Sequence, residues 1–305
     1  MAIRNFSELK QAALATDPIT IAVASAEKEE VLLSVAAARE EGLINRAILT
    51  GDSEKIAQLA DQLKLDCSSF DIREAVDYTA AATQAVQAVS AGEADVLVKG
   101  ALDSSYYFRA ILNREWGLRA STVLSNVTVF ELASYHKLLT ITDNAIILNP
   151  DLEQKRAIIE NTRPLFRALG VAQAKVGIVA AIEKENPAMP ATVDAVTLRN
   201  DNRAGQQQGF MIDGPFGYDA CICNDSARKK GITDSEVCGD PDLLLMPNME
   251  AANILGKAYK YHGGADSGGL VLGAKVPVVL NSRSDSAGRR LNSMLLAKMM
   301  VSVAS

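Results

Sequence analysis

Residues 19–50, ITIAVASAEKEEVLLSVAAAREEGLINRAILT, decide the fold class. Ile19 to Ala24 is a short apolar run and reads as a buried strand. Glu27 to Glu41 reads as the helix after it, and Arg46 to Thr50 as a second strand. Gly51-Asp52-Ser53 closes that strand and caps a helix through Leu63. An alanine-rich helix from Ala75 to Ala91 then precedes a strand over Asp95 to Val98. Strands spaced by helices of this length imply a parallel sheet with right-handed crossovers.

Working outward, Phe6 to Ala15 predicts a short amphipathic helix before the first strand. Val127 to Glu131 and Leu138 to Thr142 predict two strands close enough in sequence to pair antiparallel. After Asn149-Pro150-Asp151 a helix runs to about Leu169, and the alternation restarts. Strands are expected over Lys175 to Ala181, Gly209 to Ile212, Asp242 to Met246, Gly269 to Gly273 and Val276 to Leu280. Helices are expected over Ala191 to Leu198 and Met249 to Tyr261. The expectation is α/β, two parallel-sheet domains with a cleft between them. One would span residues 1–135 plus 284–305, through a returning C-terminal helix, and the other residues 136–283. Ligands of such sheets bind outside the strand carboxyl ends, and in two-domain versions in the cleft.

Composition fits this. The 305 residues are 48% hydrophobic but only 5% aromatic, so Ala, Val, Leu and Ile must fill the interior, which suits helices packed on a parallel sheet. The net charge of −6 argues against nucleic acid as the partner. An anionic ligand would have to be held by a local cluster of basic groups. Cys67, Cys221, Cys223 and Cys238 form no CxxC, and with only His136 and His262 no His-rich metal site can be assembled. The N-terminal residues lack the apolar core of a signal peptide, and no apolar run approaches membrane-spanning length. A soluble cytoplasmic protein, with no membrane partner, is expected.

The strand ends carry the polar chemistry. Lys99-Gly100-Ala101-Leu102-Asp103-Ser104-Ser105 follows Val98, with Arg109 one to two turns into the next helix. Thr142-Asp143-Asn144, Asp213-Gly214-Pro215 and Pro247-Asn248-Met249 follow other strands. Asn281-Ser282-Arg283-Ser284-Asp285-Ser286 follows Leu280 and precedes a helical period. That period sets Leu291, Met294, Leu295 and Met299 on one face and Arg289, Arg290 and Lys298 away from it. A strand feeding a helix N-terminus aims free N–H groups at one spot, and an adjacent arginine offers a fork to a tetrahedral anion. Each stretch taken singly also serves as an ordinary turn or cap.

Several motifs fail. Gly263-Gly264-Ala265-Asp266-Ser267-Gly268-Gly269 lacks dinucleotide-binding spacing and reads as flexible backbone near a cleft or interface. Gly268 to Gly273 has P-loop spacing, but Ala274-Lys275 stands where Lys-Ser/Thr is required. No G-x-S-x-G occurs, and Ser282 has no evident base, which argues against a covalent nucleophile.

The chain resembles the phosphate acetyltransferase/phosphate butyryltransferase family, and its butyryl branch more closely. The resemblance carries on Leu97-Val98-Lys99-Gly100, Arg109 to Asn113, Leu124-Ser125-Asn126-Val127, Thr142 to Ala145, Asn186 to Thr192, Asp213-Gly214-Pro215, and Gly273 to Pro277 through Ser282 to Ser286. It runs in order along nearly the whole chain. It implies a two-domain fold like that of isocitrate and isopropylmalate dehydrogenases, usually as a homodimer or higher homo-oligomer. It also implies an acyltransferase: reversible transfer of a short-chain acyl group between coenzyme A and inorganic phosphate. Acyl-CoA, phosphate and acyl phosphate would be its ligands, with coenzyme A as substrate, no permanently bound cofactor, no metal and no covalent enzyme intermediate.

Ser282 and Arg283 match the pair at the reacting centre, and Arg109 a ligand-binding arginine. Asp285 completes the expected catalytic set, and Lys99, Gly100, Asn126, Asp143, Asp213 and Gly214 the expected binding set. Two departures stand out. Acetyl-branch members carry an aspartate about two turns beyond the Ser-Arg pair, where this chain has Gly288, Arg289 and Arg290. The butyryl branch usually has histidine where this chain has Asn126. Phosphate acetyltransferase activity, a metal- and NAD-dependent dehydrogenase on the same fold, and a non-catalytic acyl-CoA-binding regulator are the alternatives.

Overall fold

The computed structural model of this chain describes residues 2–282 and 284–304. In chain order the strands are β1 (Ile19–Ala24), β2 (Ile44–Gly51), β3 (Phe70–Glu74), β4 (Val96–Lys99), β5 (Ser125–Glu131), β6 (Leu139–Thr142), β7 (Ala174–Val179), β8 (Phe210–Phe216), β9 (Leu243–Leu245), β10 (Asp266–Leu272) and β11 (Val278–Val279). The helices are α1 (Phe6–Leu14), α2 (Glu29–Glu40), α3 (Ser53–Gln62), α4 (Tyr78–Ser90), α5 (Ser104–Ile111), α6 (Leu152–Asn161), α7 (Arg163–Ala168), α8 (Pro190–Arg203), α9 (Tyr218–Ile222), α10 (Asn224–Lys229), α11 (Met249–Tyr261) and α12 (Ala287–Ala304). Among the described residues no helix is long and apolar enough to cross a membrane.

The chain divides into two compact units, Phe6–Thr122 with Gly268–Ser305, and Met1–Asn5 with Val123–Ser267. Against the division expected from sequence, residues 268–282 sit with the N-terminal unit and residues 2–5 and 123–135 with the other. In the N-terminal unit β2, β1, β4 and β11 run parallel side by side, with β3 parallel at one edge and β10 antiparallel to β11. In the other, β6, β9, β7 and β8 are parallel neighbours and β5 pairs antiparallel with β6, as the closeness of those two strands predicts.

The strands are apolar because helices cover both faces; Ile21 to Ala24 and Ala47 to Leu49 are fully buried. Alanine lets the helices approach closely: α4 buries Ala81, Ala82, Ala85 and Ala88 over β1 and β2. Thr50 buries its hydroxyl by donating to Ala81 O at 2.8 Å.

Four local features differ from the sequence reading. β3, FDIRE, is an additional strand. Its charges hide it from an apolar search, and they are the charges an edge strand carries: Asp71 pairs with Arg46 and Arg73, and Arg73 with Glu93. Asp213-Gly214-Pro215 lies inside β8, which continues to Phe216 past a register shift opposite β7. Asp266 to Gly268 are strand rather than flexible loop. A Cβ on Gly268 would come 2.9 Å from the Asn292 carbonyl carbon, so glycine lets α12 cross β10 closely. Lys298 is fully buried with the apolar face of α12, its stem covered and its ammonium donating to Gly42 O at 3.4 Å, just past the end of α2. Burial pulls its pKa down, and Asp17 partly offsets this.

A charge cluster sits at the amino ends of β7 and β9. Asp240 takes His136 Nε2 at 2.7 Å, Lys137 at 2.9 Å and Lys175 at 2.7 Å, while Lys137 also reaches Asp242 at 2.6 Å. Burial would raise the Asp240 pKa, but Lys175, Lys137 and His136 more than offset it and hold the carboxyl well below the usual range. A depressed native pKa contributes stability that is present above the unfolded value and is lost as pH falls below it. Asp240→Asn is therefore expected to cost about 1 kcal/mol at neutral pH for this partly exposed group, with the difference shrinking below about pH 4. Urea unfolding across that range is the check; a difference that grows on acidification would refute it.

Candidate active site

The register of β4 and β11 builds the site in the N-terminal unit. Val278 lies beside Leu97 and Val279 beside Val98, so the parallel strands end together, Lys99-Gly100 next to Leu280-Asn281. On the other side of β4, β1 delivers Ser25 to the same edge: Gly100 N donates to Ala24 O at 2.9 Å and Ala101 N to Ser25 O at 2.7 Å. A Cβ on Gly100 would stand 1.9 Å from Ser25 O, so only glycine fits. Lys99 is nearly buried at this edge, 9% exposed.

Beyond β11 the chain does not enter a helix directly. α12 begins at Ala287, and the described residues before it, Asn281, Ser282 and Ser284 to Ser286, lie in no helix or strand. Ser282 N donates to Asp285 Oδ2 at 2.8 Å, and Asp285 N to Ser282 O at 3.1 Å. That closed turn keeps the strand from feeding straight into the helix N-terminus, correcting the direct strand-to-helix junction expected from sequence. Ser286 Oγ accepts from Arg289 N at 3.4 Å and caps the helix. Asp285 thus orients the backbone of Ser282, whose exposed hydroxyl lies 3.1 Å from Ser284 Oγ. Arg283 lies outside the described residues.

Two groups anchor this loop: Ser293, which the sequence reading did not single out, and Arg290, which it set away from the apolar face without a role. Ser293 on α12 receives Asn281 Nδ2 at 2.9 Å and Gly269 N at 2.8 Å, and donates to Arg289 O at 3.1 Å. Arg290 reaches the Ser282 carbonyl with Nη2 at 3.4 Å. Ser293 follows Ser282 by eleven positions, so only the fold reveals the link. Arg109 projects from α5 into solvent and makes no hydrogen bond or ion pair among the described residues. Its helix is held by the buried Tyr107, whose hydroxyl donates to Val279 O at 3.3 Å.

The remaining expected site residues lie in the other unit. Asn126 and Asp143 come together and are both buried, 3% and 2% exposed. Asp143 accepts four backbone N–H groups, from Ala145 and Ile146 at 2.9 Å, Asn126 at 3.2 Å and Ile147 at 3.3 Å. Burial pushes its pKa up, with those donors opposing. Asp213 folds back onto Gly214 N at 2.9 Å and faces Arg203 at 3.8 Å. Gly214 has φ 146°, and a Cβ there would meet Ile178 O at 2.8 Å. The visible interactions of Asp143, Asp213 and Gly214 thus shape backbone. The cationic and hydroxyl groups Lys99, Arg109, Ser282 and Arg290 belong to the N-terminal unit. No three His, Cys, Asp or Glu side chains cluster as metal ligands among the described residues.

Such an edge presents cations, hydroxyls and closely approachable backbone, the donor set for an anionic or acyl oxygen. A family model described as phosphate acetyl/butaryl transferase matches residues 71–298. A phosphate butyryltransferase of Clostridium acetobutylicum is 36% identical over 298 residues, 98% of each chain. A phosphate acetyltransferase of Thermotoga maritima is 36% identical over 91% of this chain and 93% of its own. The crystal structure of a branched-chain phosphotransacylase from Enterococcus faecalis superposes with a TM-score of 0.83 at 28% identity, covering 93% of this chain and 99% of that one.

Proposed function

This chain belongs to the phosphate acetyl/butaryl transferase family, and we propose that it moves a short-chain acyl group reversibly between coenzyme A and inorganic phosphate, butyryl in preference to acetyl. One observation supports the reading: β4 and β11 end in register, with Lys99 and Gly100 beside Leu280 and Asn281, the residues that lead into Ser282. The butyryl preference is supported by full-length relatives named for it, at 36% and 38% identity.

The reaction is a direct displacement in a ternary complex. A phosphate oxygen attacks the thioester carbonyl and a tetrahedral oxyanion forms. The carbon–sulfur bond then breaks, giving acyl phosphate and the coenzyme A thiolate. A free thiol has a pKa of about 8.5, so positive potential at this edge eases that departure. Lys99 and Arg283 supply the potential, and Ser282 donates a hydrogen bond to the developing oxyanion. Asp285 and Arg290 hold the Ser282 backbone while this happens. Much of the rate comes from positioning two dilute partners.

The test is thioester absorbance on mixing the protein with coenzyme A and butyryl or acetyl phosphate, in chelator and without added phosphate. Thioester is expected from both, faster from butyryl phosphate. A faster acetyl reaction would move the protein to the acetyl branch, and no thioester from either would overturn the assignment.

A further inference from the structure

We propose that the cavity at the amino ends of β6, β9 and β7 is a ligand site for a small amphipathic carboxylate, its apolar body against Phe166 and Leu169 and its charged head on Lys175. The proposal goes beyond the acyl-transfer reading and does not rest on it.

The cavity measures about 440 Å³, within the range of small-molecule sites. All the residues that line it lie in one compact unit, and none belongs to the edge that bears Lys99 and Ser282. Three strand starts build its walls. Lys137 precedes β6, Lys175 lies at the start of β7, and Asp242 precedes β9. Their backbones interlock: Lys175 N donates to Asp242 Oδ2 and Asp242 N to Lys175 O, each at 2.8 Å. The N-terminal segment forms another side, where Ile3 N donates to Leu169 O at 2.9 Å.

Charge and shape select the occupant. Arg4, Lys137 and Lys175 outnumber Asp240 and Asp242, so the lining is positive in a chain whose net charge is −6. The acids are already occupied: Asp240 faces His136, Lys137 and Lys175, and Asp242 faces Lys137 and the Lys175 N–H. A metal ion or an ammonium would find no open acceptor on them. Lys175 differs. Its ammonium, 27% exposed, meets Asp240 alone among the described residues and keeps donors to spare. Ile3, Phe166 and Leu169 give the cavity an apolar side. Ion pairing for stability alone needs no apolar hollow beside it, whereas a ligand with an apolar body and one negative charge matches both features. A doubly charged phosphate would exceed the small surplus of positive charge and be repelled by the two aspartates.

Calorimetric titration of the full chain with benzoate tests this, with benzyl alcohol as the uncharged control and phenyl phosphate as the doubly charged one. Benzoate is expected to bind about tenfold more tightly than either. Lys175→Met is expected to lose about tenfold in benzoate affinity, the scale of one hydrogen bond to a charged group. Gln173 lines the cavity from an exposed position. Gln173→Glu is expected to weaken benzoate and Gln173→Lys to tighten it, each about threefold and with unchanged melting. Opposite signs at one exposed position do not arise from misfolding. Ser282→Ala is expected to bind benzoate as the wild type does, because the acyl-transfer edge takes no part. No saturable binding by the wild type, or wild-type affinity in Lys175→Met with no response at Gln173, overturns the proposal. Loss of binding in Ser282→Ala overturns it too, by moving benzoate to the acyl-transfer edge. Tighter binding of phenyl phosphate or of benzyl alcohol overturns the carboxylate assignment.

Discussion

Replacing Arg283 by alanine is expected to lower kcat by about a hundredfold or more, the scale of losing one preorganised donor at a developing oxyanion. Ser282 is held by Asp285 on one side and by Arg290 on its carbonyl, and Ser293 pins Asn281 just before it. Backbone tied at Asn281 and Ser282 loses little further ordering entropy when a ligand binds beside it. The guanidinium offers a tetrahedral phosphate two parallel hydrogen bonds. With a net charge of −6, the protein as a whole supplies no positive field to replace it. Arg283→Lys should recover only part of the loss, since an ammonium keeps the charge and loses the fork. Steady-state kinetics with a thermal-melt control decide it. Wild-type turnover in the alanine variant would exclude Arg283 from the reacting centre.

The second large effect is on stability. Asp143→Ala removes the acceptor of four backbone N–H groups, one buried and three half-buried, at the end of β6. Leaving such donors unpaired is expected to cost about 3–5 kcal/mol, even if one or two of them capture water. For a protein of this size that corresponds to a fall of about 5–8 °C in Tm. Asp143→Asn keeps one carbonyl acceptor and should fall between alanine and wild type. A Tm unchanged in Asp143→Ala would show that the turn stands without its carboxylate.

The pH dependence of this residue is opposite in sign to that of Asp240. Burial raises the Asp143 pKa in the folded protein. Its contribution therefore diminishes as pH rises from the unfolded value through the raised native one, whereas the Asp240 contribution is lost as pH falls.

Much of the candidate site was legible because strand ends announce themselves locally. An apolar run that stops at Lys99-Gly100, or at Asn281-Ser282, needs no partner to be recognised. Asp143 was legible only as a polar residue after a strand; its four backbone partners come from two segments joined by the β5–β6 pairing. Asp213 and Gly214 read as a loop because proline and glycine punctuate chains. They remain in β8 because the register shift opposite Gly177 and Val179 absorbs them. Lys137, Lys175 and Asp240 are far apart in sequence, and no spacing rule links them before β6, β9 and β7 pair.

The sequence by itself determined the α/β class, the order of strands and helices, and the set of polar strand ends. Each follows from side-chain periodicity and turn chemistry within a few residues. Tertiary structure alone decided the rest: β3 as a charged edge strand, the strand and helix assigned to each compact unit, the buried Lys298, and the hub at Ser293. Those outcomes depend on which segments lie side by side. Burial of a lysine stem or pairing of a charged strand is favourable only once distant residues have built the surface that receives it.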